Sequence, residues 1–179
     1  MSNMEFKIIR AEPHDWQTFA ELRLYYLRAE PAAYGSEYAR EVGYGAELWQ
    51  ERLTANWSFL AYPADAPNGA PIGTATGLWL GDGDTLVVAM YVAPGSRRAG
   101  CAHRLLDRIA QVARDQGGRR LLLDVTDLES PAGRCYTRYG FNETGSRRPM
   151  DRDPTLTEIR LAFDLSCRWR ALSVCAPKV

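Results

Sequence analysis

The stretch Val92-Ala93-Pro94-Gly95-Ser96-Arg97-Arg98-Ala99-Gly100-Cys101-Ala102 decides the fold. An apolar run from Thr85 to Val92 reads as a strand and stops at Pro94. A tight basic turn follows. Then the period changes: Ala102, Leu105, Leu106, Ile109 and Ala113 fall on one face of a helix, with Arg104, Arg108, Arg114 and Asp115 on its wet side. Gly117-Gly118 ends that helix. A helix start carries unpaired N–H groups and partial positive charge. Small residues at Ala99, Gly100 and Ala102 let a ligand approach this backbone, and Arg97 and Arg98 add charge. Such a turn suits a pyrophosphate. It lacks the Gly-Lys-Ser/Thr ending of a P-loop. It offers only Gly100 toward a G-x-G-x-x-G dinucleotide fingerprint.

Outward from this turn, strands are expected at Phe6–Arg10, Trp57–Tyr62, Ile72–Leu80 and Thr85–Val92. Further strands are expected at Leu121–Val125, Phe141–Arg147 and Glu158–Leu165. Gly81-Asp82-Gly83-Asp84 reads as a hairpin turn. Asp15 is placed to cap a helix carrying Trp16, Phe19, Leu22 and Leu24, and Glu47–Leu53 forms a second short helix. Ser130-Pro131 opens a short helix that ends at Gly140. Residues 30–45, with Pro31, Gly35, Tyr34, Tyr38 and Tyr44, read as a loop or broken helix. Antiparallel strands followed by a strand–helix–strand–helix unit predict one mixed α/β sheet.

The composition bounds the partners. The chain of 179 residues fits one domain, and 46% hydrophobic residues suffice for a core without disulfides or metal. With 22 basic and 22 acidic residues, neither nucleic acid nor an anionic membrane is an expected partner. No apolar run approaches the ~20 residues of a membrane span. The N-terminus lacks a signal-peptide layout, so a cytoplasmic location is expected. Cys101, Cys135, Cys167 and Cys175 form no C-x-x-C pair, so no metal site is expected and the thiols read as reduced and mostly buried.

The stretch from Val92 onward resembles the GNAT superfamily of acetyl-CoA-dependent N-acetyltransferases. The family's pyrophosphate motif, Arg/Gln-x-x-Gly-x-Gly/Ala, is matched by Arg97-x-x-Gly100-x-Ala102. Downstream, Ala132-Gly133-Arg134-Cys135-Tyr136-Thr137-Arg138-Tyr139-Gly140-Phe141 resembles the family signature A-x-x-x-Y-x-x-x-G-F. The resemblance runs from about Phe6 to Leu165 and is weakest between Glu30 and Ala70. It implies a single N-acetyltransferase domain over residues 1–165, with a tail at 166–179. The implied core is a mixed, mostly antiparallel sheet of six to seven strands flanked by about four helices.

The resemblance further implies a splayed parallel pair, strands 85–92 and 121–125, holding the pantetheine arm against exposed backbone at Met90, Tyr91 and Val92. The diphosphate of acetyl-CoA, the co-substrate, would sit on the N–H groups of Arg97, Arg98, Ala99, Gly100, Cys101 and Ala102. Many members carry Asn where Glu129 stands. A carboxylate accepts but does not donate, which weakens that pantetheine contact. Some members carry a glutamate base on the strand before the turn, whereas residues 85–90 hold no carboxylate.

An alkylammonium with pKa near ~10.4 must lose its proton before it attacks, here to water or a distant carboxylate. A backbone N–H near Met90–Val92 is placed to stabilise the oxyanion. Tyr136 occupies the family's tyrosine position and is assigned as the acid toward the leaving thiolate. Cys101, beside basic residues at a helix start, is weighed as a reactive thiol. Direct transfer needs no such nucleophile. Arg147–Asp153 reads as a solvated turn whose Asp151 and Asp153 would attract a cation at the acceptor rim. Tyr34, Tyr38, Tyr44 and Trp49 suggest an enclosed acceptor pocket.

The favoured acceptor is the primary amine of a small molecule. Acetylation of a protein N-terminus or lysine, or a non-catalytic acyl-CoA-binding module, remain the other readings. The tail with Trp169 is apolar enough to pack on the domain or to join a partner subunit in a homodimer.

Overall fold

A computed structural model of the protein describes residues 5–166. Seven strands form one sheet: β1 (Phe6–Arg10), β2 (Trp57–Pro63), β3 (Gly73–Gly81), β4 (Asp84–Val92), β5 (Arg120–Val125), β6 (Asn142–Pro149) and β7 (Thr157–Asp164). Their spatial order is β1-β2-β3-β4-β5-β7-β6. All pairings are antiparallel except β4 with β5. Five α-helices accompany the sheet: α1 (Trp16–Ala29), α2 (Tyr38–Glu41), α3 (Ala46–Ala55), α4 (Cys101–Asp115) and α5 (Pro131–Tyr139). The mixed, mostly antiparallel sheet is as expected. The segment read as a broken helix contains a short 3₁₀ turn at Pro31–Ala33 and then α2.

Alternation along the strands divides the core between the two faces. On one face α4 buries Leu105, Leu106, Ile109, Ala110 and Ala113 against Phe59, Ala75, Val87, Leu121 and Leu123. Each large aliphatic side chain withdrawn there contributes about 1.5–3 kcal/mol. On the other face α1 and α3 bury Phe19, Tyr26, Leu27, Trp49 and Leu53 against Leu60, Tyr62 and Tyr91. Trp49 belongs to this second core, and Tyr34, Tyr38 and Tyr44 pack against it half-buried.

Asp15 precedes α1 but does not cap it with its side chain; its carboxylate accepts from the Glu12 N–H at 2.9 Å. Strand β6 is exposed along its whole length, in keeping with a solvated β6–β7 end. No described helix is long and apolar enough to cross a membrane. Among the described residues no group of His, Cys, Asp and Glu is arranged to hold a metal ion. The apolar tail with Trp169, and Cys167 and Cys175, lie outside the described residues.

Candidate active site

The parallel pair splays. Pairing between β4 and β5 covers Asp84–Arg120, Thr85–Leu121 and Leu86–Leu122, with no later pair among the described residues. A register shift against β3 between Thr74 and Thr76 places a bulge in β4, where Ala89 adopts φ +55°. Beyond the bulge, the Ala93 N–H donates to the Ile72 carbonyl at 2.7 Å. By strand alternation Tyr91 then turns its backbone toward β3, and Met90 and Val92 turn theirs toward the gap.

Two side chains have entered that gap. The Tyr34 hydroxyl donates to the Met90 carbonyl at 3.3 Å, and Arg97 Nε donates to the Val92 carbonyl at 2.8 Å. The exposed-backbone expectation at Met90–Val92 is therefore refined. Tyr91 faces away with its ring stacked 4.8 Å from Tyr26, and the N–H groups of Met90 and Val92 are the donors on the open edge.

The basic turn meets the demands of a diphosphate. Arg98 sits at φ +64° and Gly100 at φ +91°, which reverses the chain into α4. Gly100 is the N-cap of α4 and supplies no side-chain cap. The first helical bond runs from the Arg104 N–H to the Gly100 carbonyl at 3.1 Å, so the N–H groups of Cys101, Ala102 and His103 precede the ladder. Helix α5 shows the contrast, since its N-cap Ser130 accepts from the Gly133 N–H at 3.0 Å. A Cβ built on Gly100 would meet no atom within 4 Å. The residues at this helix end thus fit an external anion with close backbone access.

Arg97 also pairs with Glu30, so its guanidinium clamps the turn to the end of α1. Cys101 has its thiol in the core at 1% exposure, where burial pushes its pKa up to about 12. It is not the reactive thiol weighed from its position, although its N–H belongs to the cradle.

Tyr136 lies on α5 at 9% exposure, its ring edge-on to Phe141. Burial raises its pKa above the ordinary tyrosine range, with Cys135 adding to the rise. Tyr34 is raised in the same sense, by burial first and then by Tyr26, Glu30 and Tyr136. Tyr139, by contrast, donates to Asp107 at 3.0 Å and ties α5 to α4. His103 makes a second such tie, 3.3 Å from the Cys135 carbonyl.

Glu129 is not gathered into the site. Its side chain is 86% exposed and lies 3.6 Å from Arg134. Its N–H is held by Asp127 at 2.8 Å. Asp84 opens β4 but is bound by Arg120 at 2.6 and 2.9 Å, a hydrogen bond that lowers its pKa. Asp153 folds onto Thr155. Gly133 has a role that no local pattern assigns. A Cβ there would stand 2.4 Å from the Leu128 carbonyl and 2.5 Å from that of Asp127, so the start of α5 closes directly on the preceding loop. Tyr34 was visible only as a loop aromatic, and no local pattern marks its reach to Met90.

Beside the bulge, on the α1–α3 face, lies a cavity of about 180 Å³ lined by Val88, Ala89, Ser58, Thr76, Asn56 and arginines from α1 and α3. Ser58 and Thr76 share a hydrogen bond of 2.9 Å there.

Comparison with known proteins agrees with this geometry. Residues 19–141 match the model of the acetyltransferase (GNAT) family. A streptothricin acetyltransferase from Streptomyces lavendulae is 42% identical over 50 residues, and that match spans 28% of this chain and 26% of the relative. A GNAT acetyltransferase structure from Streptococcus pneumoniae superposes with TM-score 0.71 at 20% identity, over 89% of this chain and 99% of that one. A nourseothricin acetyltransferase structure superposes with TM-score 0.55 at 25% identity, over 62% of this chain and 66% of that one. With a splayed β4–β5 pair, an uncapped basic helix start and the family match over most of the domain, the chain belongs to the acetyltransferase (GNAT) family.

Proposed function

We propose that the protein acetylates a primary amine of a small molecule by direct attack on acetyl-CoA. The observation that carries this reading is the compact, half-open cavity of about 180 Å³ beside the β4 bulge, on the side of the strand opposite α4. The similarity to a streptothricin acetyltransferase and to a nourseothricin acetyltransferase points the same way.

Acetyl-CoA supplies an activated acyl group. The chain's own residues do the rest. The Arg97 N–H is taken by the Pro94 carbonyl at 3.3 Å, so the N–H groups of residues 98–102 would hold the diphosphate, and the Met90 and Val92 N–H groups would hold the pantetheine arm. One of these two donors faces the thioester oxygen as charge develops. No carboxylate points from β4 past Asp84, so the ammonium proton leaves through water in the cavity.

Tyr136 is the group assigned to the departing sulfur. Burial keeps its hydroxyl protonated at neutral pH, so it offers a hydrogen bond as the thiolate forms and passes its proton late. The experiment is an acceptor screen with purified protein and acetyl-CoA, reading thiol release. Small amines should be acetylated. Turnover confined to peptide N-termini or lysines would replace this reading, and no turnover at all would favour an acyl-CoA-binding module.

A further inference from the structure

Two arginines converge on the cavity beside the bulge. Arg23 projects from α1 and is 9% exposed; Arg52 projects from α3 with a 34% exposed side chain. Both bind Glu41, which is fully buried. Arg23 gives Glu41 two bonds, of 2.9 and 2.7 Å, and a third of 2.7 Å to the Tyr26 hydroxyl. Arg52 gives Glu41 one bond of 3.2 Å. Ser36 also donates to Glu41, at 2.5 Å. Two guanidiniums thus face one carboxylate, and the cluster carries one positive charge in excess. None of the residues lining the cavity is acidic.

A guanidinium has five N–H donors. Arg52 spends one of them on Glu41 among the described residues, and its plane is fixed by Tyr44 at 5.0 Å and Trp49 at 5.4 Å. The group is therefore oriented, partly desolvated and short of an anion. A charge in such a setting is stabilised by a paired anion, and the planar fork suits a carboxylate.

The same cavity reaches Val88 and Ala89, next to the backbone at which the thioester is expected. Its volume of about 180 Å³ is small for a ligand site, since pockets for drug-sized ligands measure roughly 300–1,000 Å³.

From this juxtaposition we infer that the acceptor is a compact amine that also bears a carboxylate, which Arg52, backed by Arg23, holds while the amine reaches the β4 bulge. The inference rests on the small-molecule reading above. It assigns Arg52 a specificity role that no motif in the sequence carries.

The test compares α-, β- and γ-amino acids, each beside its carboxamide, as acceptors for the intact protein at saturating acetyl-CoA. The carboxylate member of at least one pair should be preferred in kcat/KM by roughly 10- to 100-fold, the span of one charge-assisted contact. Arg52→Gln should bring that ratio to within about twofold, with the loss in KM rather than kcat. Should the variant fail to fold, the wild-type pairs still decide, because they need no variant. Amines turned over with no preference for the carboxylate, or with preference for the carboxamide, overturn the anionic acceptor and leave the small-molecule reading standing. Turnover confined to peptides overturns both.

Discussion

The hydroxyl of Tyr34 donates to the carbonyl of Met90 at 3.3 Å, across 56 positions of sequence. It joins the connection after α1 to the strand edge that opens away from β5. Removing that hydroxyl leaves a half-buried carbonyl unpaired. Tyr34→Phe should cost about 1 kcal/mol in urea denaturation. It should also raise the KM for acetyl-CoA more than it changes kcat, because the affected edge is the one proposed to bind the pantetheine arm. An unchanged KM would separate Tyr34 from the site.

Tyr136 and Tyr139 lie on the same short helix but have different surroundings. Tyr136→Phe should lower turnover by roughly 10²-fold, the scale of general acid catalysis, with little change in the affinity for CoA. Tyr139→Phe removes the bond to Asp107 and should cost about 1 kcal/mol of stability, with turnover near normal. Steady-state kinetics and thermal melts on both variants give the comparison. Normal turnover in Tyr136→Phe, where chemistry limits the rate, removes its acid role.

Gly100 has open space around its missing Cβ and a φ of +91°. Gly100→Val meets no protein atom at the Cβ but strains the backbone by about 1–2 kcal/mol and covers the uncapped N–H groups. The variant should fold and should bind CoA at least tenfold more weakly by calorimetry. Undiminished affinity would move the diphosphate elsewhere.

Burial alone would raise the Glu41 carboxyl, but the Arg23 hydrogen bonds and charge, with Ser36 and Arg52, bring its pKa to about 2. A folded value below the ordinary 4.5 means that the ionised form is stabilised by folding. That contribution, about 3 kcal/mol on the conversion of one pKa unit to 1.36 kcal/mol, is complete above the ordinary value and fades as pH falls toward 2. Glu41→Gln should therefore be less stable than wild type by a constant margin above pH 5. The margin should narrow between pH 4.5 and 2 in urea titrations. A margin independent of pH across that window would show that Glu41 is not the titrating group.

What the sequence determined by itself is local. Period-2 and period-3.6 patterns place the strands and α4, because an element declares in its own residues which face it buries. The diphosphate turn is equally local. Gly100, the small residues beside it and the absence of a capping side chain are consecutive, and backbone geometry follows from them. Tyr136 and Tyr139 could be separated by their places in the motif, and the Tyr139–Asp107 bond agrees with a structural role for the latter.

Tertiary structure decided what depends on residues far apart in the chain. Cys101 is inert because α4 turns it into the core, although basic neighbours in sequence suggested reactivity. Glu129 points to solvent and Tyr34 reaches Met90. Arg23, Glu41 and Arg52 come from three helices and meet only once α1, α2 and α3 pack on the sheet. Charge neutrality over the whole chain concealed this local excess of one positive charge. Electrostatics acts over a few ångströms of folded space, and no spacing along the chain encodes which charges will share them.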